Sequence, residues 1–167
     1  MNRLFNILSA GLLLLAPLLL APAFGAAARD YKAGSIEVLQ PVAKATMPGQ
    51  PVGGGFFTLV NHGAEPDRLV SITSPVSGEV QMHEMSLQDD VMQMRKLPDG
   101  IPVPPGATVR LETGGMHVMF MRIAAPFREG ESFPATLTFE KAGAVEVEFE
   151  VEAFRSGGAA GAGHKAH

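Results

Sequence analysis

The sequence predicts an all-β sandwich or barrel. From Ser35 onward, short runs of β-branched and aromatic residues are separated by Gly, Pro, Asn and Asp, and no stretch carries convincing helical periodicity. One segment shows strict alternation: Val145, Val147, Phe149 and Val151 are interleaved with Glu146, Glu148, Glu150 and Glu152. A period of two puts the apolar side chains on one face of a strand and the carboxylates on the other.

In chain order the pattern places strands at 35–39, 55–61, 68–73, 79–85, 91–97, 108–112, 117–123, 135–139 and 145–153. Turn chemistry sets several boundaries. Asn61-His62-Gly63 ends the second strand, Gln88-Asp89-Asp90 separates the fourth and fifth, and Pro98-Asp99-Gly100 closes the fifth. These residues tolerate φ > 0 or fix φ in advance. The segment 101–106 contains Pro102, Pro104 and Pro105 and so cannot be a central strand, because proline removes ladder donors. It is expected to be an ordered extended loop. The glutamates at 146–152 read as a solvated face rather than a hard-cation site, and stacked carboxylates disfavour pairing with another chain.

The 167 residues amount to one domain, and 46% hydrophobic with 18% charged residues is too apolar for disorder. A net charge of −4 with no basic run lacks the electrostatic footprint of nucleic-acid binding, and acidic lipid surfaces fall by the same argument. The sequence has no cysteine, which removes thiolate zinc sites, iron–sulfur clusters, thiol nucleophiles, disulfides and a blue-copper centre. Any metal must be held by His, Met or carboxylate.

The chain ends differ from its middle. A positive start at Met1 to Arg3, an apolar run at Leu4 to Leu20 and small residues at Ala21 to Ala28 read as a secretory signal peptide. Residues 1–25 are the expected leader, with competing cleavage sites at Ala26 to Ala28. Ser9, Gly11 and Pro17 interrupt the apolar run, which is shorter than the roughly 20 residues a spanning helix needs, so no stable membrane insertion is expected after cleavage. With no cysteine after the run, a lipid anchor there is not expected. The working compartment is the periplasm or another space outside the cytoplasm. The domain is expected to occupy 26–155, followed at 156–167 by a flexible Gly/Ala tail ending in His164 and His167.

Methionine is unevenly placed. Met82, Met85, Met92, Met94, Met116, Met119 and Met121 fall within forty residues, as do His83 and His117. Core filling accounts for any one methionine. Strand parity argues for more, since residues i and i+2 share a face about 6.6 Å apart. His83 shares a face with Met85, Met92 with Met94, and His117 with Met119. A hairpin through 86–90 brings the His83 and Met94 strands side by side. Thioethers have little affinity for zinc, calcium or magnesium, whereas Cu(I) accepts thioether and imidazole together.

The pattern His83-x10-Met94, followed after 22 residues by His117-Val118-Met119, resembles the motif of the periplasmic copper(I) chaperones called PCu(A)C. That motif has 21 residues in the second interval, so this chain is one residue longer in its Pro-rich loop. Gly53-Gly54-Gly55-Phe56-Phe57, Val80-Gln81-Met82-His83-Glu84-Met85 and Pro104-Pro105-Gly106 are also similar, and the likeness runs from about Ser35 to Glu152. The resemblance implies a cupredoxin-like Greek-key β-sandwich or barrel. It implies one Cu(I) on His83, Met94, His117 and Met119, with His117 and Met119 at an exposed rim from which the ion passes on. It further implies a carrier rather than an enzyme, delivery to the copper-site subunit of cytochrome c oxidase, and a Sco-type thioredoxin-like partner. A second copper, as Cu(II), at His164 and His167 and a loose terminus with incidental histidines both stand as readings. Met85, Met92 and Met121 are open between packing and alternate ligation. Copper storage or resistance, and a secreted β-sandwich binding module without metal, are the alternative functions.

Overall fold

The structure, a computed structural model, describes residues 30–154. The expected leader at 1–25 and the tail at 156–167, with His164 and His167, lie outside the described residues. Eleven strands and no helix are found among the described residues. They are β1 (Tyr31–Ala33), β2 (Ile36–Lys44), β3 (Val52–Asn61), β4 (Asp67–Thr73), β5 (Ser77–Gln88), β6 (Val91–Lys96), β7 (Ile101–Val103), β8 (Thr108–Leu111), β9 (Met116–Ile123), β10 (Ser132–Phe139) and β11 (Gly143–Glu152).

Hydrogen bonding links them in the order β6-β5-β9-β3-β2-β11-β10-β4-β7, with β1 on β2 and β8 on β3. Neighbours such as β5 and β9, or β2 and β11, are far apart in sequence, as Greek-key connections require. The sheet turns back on itself to enclose one core. Phe120 of β9 meets Phe133 of β10 and Phe149 of β11 at ring-centroid distances of 5.1 and 5.3 Å, although β3 and β2 stand between these strands in the ladder. This is the sandwich expected from the strand pattern.

A bulge in β2 makes the turn between layers. Leu39 pairs with Thr58 but Val42 with Phe56, so Gln40 and Pro41 occupy the space opposite Phe57 alone. Gln40 is left-handed, with φ 49°. Inward residues accordingly switch parity, from Ile36 and Val38 to Pro41 and Ala43.

Three sequence expectations are amended. Residues 101–103 form a strand rather than a loop, but an edge one: Pro102 faces Arg68 of β4, and Ile101 and Val103 are fully buried. At an edge the missing donor has no ladder partner to lose. The short β1 carries no alternation long enough to read. The glutamate row of β11 faces away from the core as expected, yet β11 is an open edge only in part: it pairs with β10 over Gly143–Glu150 and with β2 over Glu150–Glu152.

Asp67 ties β4 to the turn between β10 and β11. Its carboxylate accepts the backbone N–H groups of Arg68, Lys141 and Ala142 at 2.7, 2.9 and 2.9 Å. Burial alone would raise its pKa, but these three donors outweigh it and the pKa is lowered. Asp67→Ala is expected to cost roughly 2–4 kcal/mol, by leaving backbone donors unpaired. Because the folded-state pKa is depressed, the contribution is complete above the ordinary value of about 3.9 and is lost as pH falls through the lowered one. Urea titrations should therefore show a wide gap between wild type and variant at pH 7 that narrows below about pH 4.

Candidate metal centre

The four residues singled out by the sequence lie on three consecutive strands and share one sheet face. In the β5–β9 ladder His83 is directly opposite His117, Gln81 opposite Met119 and Glu79 opposite Met121. In the β5–β6 ladder Met94 is opposite Met85, Met92 opposite Leu87 and Lys96 opposite His83. Directly paired residues point the same way, so His83, His117, Met119 and Met94 are all on this face, with Met85, Met92 and Met121. The hairpin joining β5 to β6 is tight because Asp89 and Asp90 both adopt positive φ, 49° and 62°, the geometry of a type I′ turn.

The opposite face anchors these strands. Met82 of β5 and Val118 and Phe120 of β9 are buried in the core. On β3, Gly55 pairs with Val118, and a Cβ there would lie 2.7 Å from the Phe120 ring. Glycine is therefore required for β3 to run flat against β9 and bring Gly54 opposite Met119.

The two histidines are enclosed. Each is only 9% exposed, and their rings stand edge to face with centroids 5.8 Å apart. The expectation of an exposed rim at His117 is thus corrected. The exposed thioethers of this face are Met92 at 51% and Met94 at 55%, on the edge strand β6, while Met119 is half-buried. The burial of the His pair is not something strand parity reveals.

Each imidazole is tied through one nitrogen. His117 Nδ1 lies 3.0 Å from the carbonyl oxygen of Gly115, which can only accept, so Nδ1 carries the proton and Nε2 the free lone pair. His83 Nε2 lies 2.9 Å from Gln81 Oε1. Its Nδ1 is buried with no hydrogen-bond partner and is the only such side-chain nitrogen or oxygen among the described residues. An orphaned buried acceptor costs about 1–3 kcal/mol, which a bound Lewis acid would recover. Burial, followed by the nearby His117 and Lys96, lowers the His83 pKa and keeps its imidazole neutral, the state a metal ligand needs.

No group of three or more His, Cys, Asp or Glu residues able to hold a metal is present among the described residues. The thioethers on this face are the soft donors available to complete a coordination shell around the two imidazoles. Strand register brings His83, His117 and Met119 onto adjacent strands, and it sets Met94 diagonally from His83 on the next strand out. Met85 occupies the same face between His83 and Met94. Glu84 and Arg95, considered for partner contact, form a 2.6 Å cross-strand ion pair. Sequence reading assigned no role to Gln81, Glu79 and Lys96 beside His83, although the same i, i+2 rule that linked His83 to Met85 places Gln81 and Glu79 on its face.

The family model for LpqE-like lipoproteins matches residues 36–151. Lxx21020 of Leifsonia xyli, a protein named as a lipoprotein, is 28% identical over 123 residues, 74% of this chain and 73% of that one. The copper-bound PCuAC domain from PmoF2 superposes with a TM-score of 0.64 and 30% identity, over 75% of this chain and 98% of that domain. Apo-DR1885 from Deinococcus radiodurans, at 22% identity and a TM-score of 0.57, covers 90% of this chain and 97% of its own, and shares the fold. The chain therefore belongs to the LpqE-like family, and its β-sandwich is a PCuAC domain.

Proposed function

We propose that this protein is a copper chaperone of the cell envelope, holding one Cu(I) on His83, Met94, His117 and Met119. The observation that carries the reading is the pair of enclosed imidazoles, one with an unpartnered buried Nδ1, on a face that also carries several thioethers. The copper-bound PCuAC domain of PmoF2 supports it. Neutral donors add no anionic charge, so they favour Cu(I) over Cu(II) and leave the ion open to capture by a thiolate site.

The ion is cargo. The enclosed histidines hold it, and the exposed Met94 on the edge hairpin is the donor a docking protein reaches first. Transfer then proceeds by ligand exchange from the β6 side. The recipient we propose is the copper-site subunit of cytochrome c oxidase, acting with a Sco-type thioredoxin-like partner. The family's lipoprotein description supports an envelope location, and we read residues 1–25 as a leader directing the chain to the periplasm.

X-ray absorption at the copper edge tests the donor set. A first shell mixing nitrogen and sulfur is expected, and replacement of Met94 and Met119 by leucine should remove the sulfur component. A shell of nitrogen and oxygen alone would refute thioether ligation. Acid should weaken binding, because protons compete for the imidazoles. Burial holds the His83 pKa below its ordinary value of about 6.5, so proton competition at this ligand sets in only below that value. Chelator competition at pH 7 and pH 5 measures this, and equal affinities would contradict imidazole ligation.

A further inference from the structure

The acceptor-only chemistry of the Glu79 carboxylate, four residues before His83, fixes which nitrogen of His83 is free. Glu79, Gln81 and His83 occupy alternate positions of β5 and share the outer face. The Gln81 amide nitrogen donates to Glu79 Oε1 at 2.7 Å. Glu79 also pairs with Lys96 and Arg122, each at 3.4 Å, from the strands on either side. The Gln81 amide, first, and Lys96, next, hold its pKa down, so it is an ionised acceptor at neutral pH. Were the Gln81 amide turned over, its oxygen would face that carboxylate, acceptor against acceptor. The amide oxygen therefore points at His83 Nε2, 2.9 Å away, and this nitrogen must donate.

We propose that Gln81 is a positioning residue, which holds His83 as the Nε2–H tautomer and thereby presents Nδ1 to the copper ion. The two imidazoles then ligate through different nitrogens, His83 through Nδ1 and His117 through Nε2. Glu79 acts one step further out by orienting the amide. A metal-bound imidazole whose other nitrogen is anchored in this way is fixed in both orientation and tautomer, and loss of such an anchor typically weakens metal binding by about 10–100-fold.

The ligation half of this proposal rests on the copper reading; the tautomer half does not, and the experiment separates them. Long-range 1H–15N spectra of the imidazoles are recorded on the metal-free full chain at about pH 7.5, where neutral histidine dominates. Wild type, Gln81→Glu and Gln81→Leu are compared, and Cu(I) affinity is then measured by competition with a chromophoric chelator. The expected result is a protonated Nε2 and a bare Nδ1 at His83 in wild type. Gln81→Glu, whose carboxylate can only accept, should keep that tautomer; because it also loses the amide donated to Glu79 and sets two carboxylates together, it serves as a readout of tautomer and not of affinity. Gln81→Leu should show mixed tautomers and an affinity about 10–100-fold lower, with the amide spectrum of the sheet otherwise retained. Protonated Nδ1 at His83 in wild type, or an unchanged tautomer and affinity in Gln81→Leu, would overturn the proposal. The expected tautomers with no Cu(I) bound by any of the three would overturn the copper reading and the ligation half, while leaving Gln81's control of the tautomer standing.

Discussion

Replacing His117 and Met119 together by leucine is expected to lower Cu(I) affinity by at least about a hundredfold, on the order of 3 kcal/mol, while leaving the β fold intact. Both side chains project from one face of β9 towards the site, and the strand is held by the other face, where Val118 and Phe120 are fully buried. Leucine matches methionine in volume, and exchange of a buried imidazole for an apolar group avoids an orphaned polar atom at that position. Chelator competition reads the affinity and far-ultraviolet circular dichroism reads the fold. Tight binding retained by the double variant would remove this pair from the donor set.

Phe120→Ala is expected to be the most damaging single truncation in the core. Phe120 has no exposed surface and meets Phe127, Phe133 and Phe149 edge to face at 5.7, 5.1 and 5.3 Å between centroids. Gly55 leaves room for it against β3, so the pocket is built around this ring and its neighbours are too large to collapse inward. Truncation of a buried phenylalanine costs roughly 3–5 kcal/mol, and in a domain of this size lowers Tm by roughly 10–20 °C. A scanning calorimetry shift of only a few degrees would show that the ring is not enclosed as described. Because Phe120 backs the strand that carries His117 and Met119, this packing connects the stability of the fold to the geometry of the metal face.

Strand alternation made much of the fold legible. The apolar positions of 145–151 and their outward glutamates needed only the two-residue period, and Gln88-Asp89-Asp90 marked the β5–β6 turn. The short edge strand at 101–103 was hidden by its prolines, whose effect depends on whether a strand is central or at an edge, a property of the whole sheet. The shared face of His117 and Met119, and of His83 and Met85, also followed from parity. The direct pairing of His83 with His117 did not, since β5 and β9 are brought together by a crossing connection whose register no local pattern sets. Enclosure of both histidines was likewise invisible, because it depends on that pairing, which sets the two rings edge to face. The role of Gln81 lies deeper still, in the orientation of an amide fixed by the carboxylate beyond it.

The central claim is a single Cu(I) site within the β-sandwich. Titration of Cu(I) into the chain lacking residues 1–25, against a chromophoric Cu(I) chelator, and into the same chain ended after Arg155, tests it most directly. Both are expected to withdraw one equivalent of copper from the chelator with equal affinity. Failure of both to compete, or loss of binding when the His164 and His167 tail is removed, would contradict it.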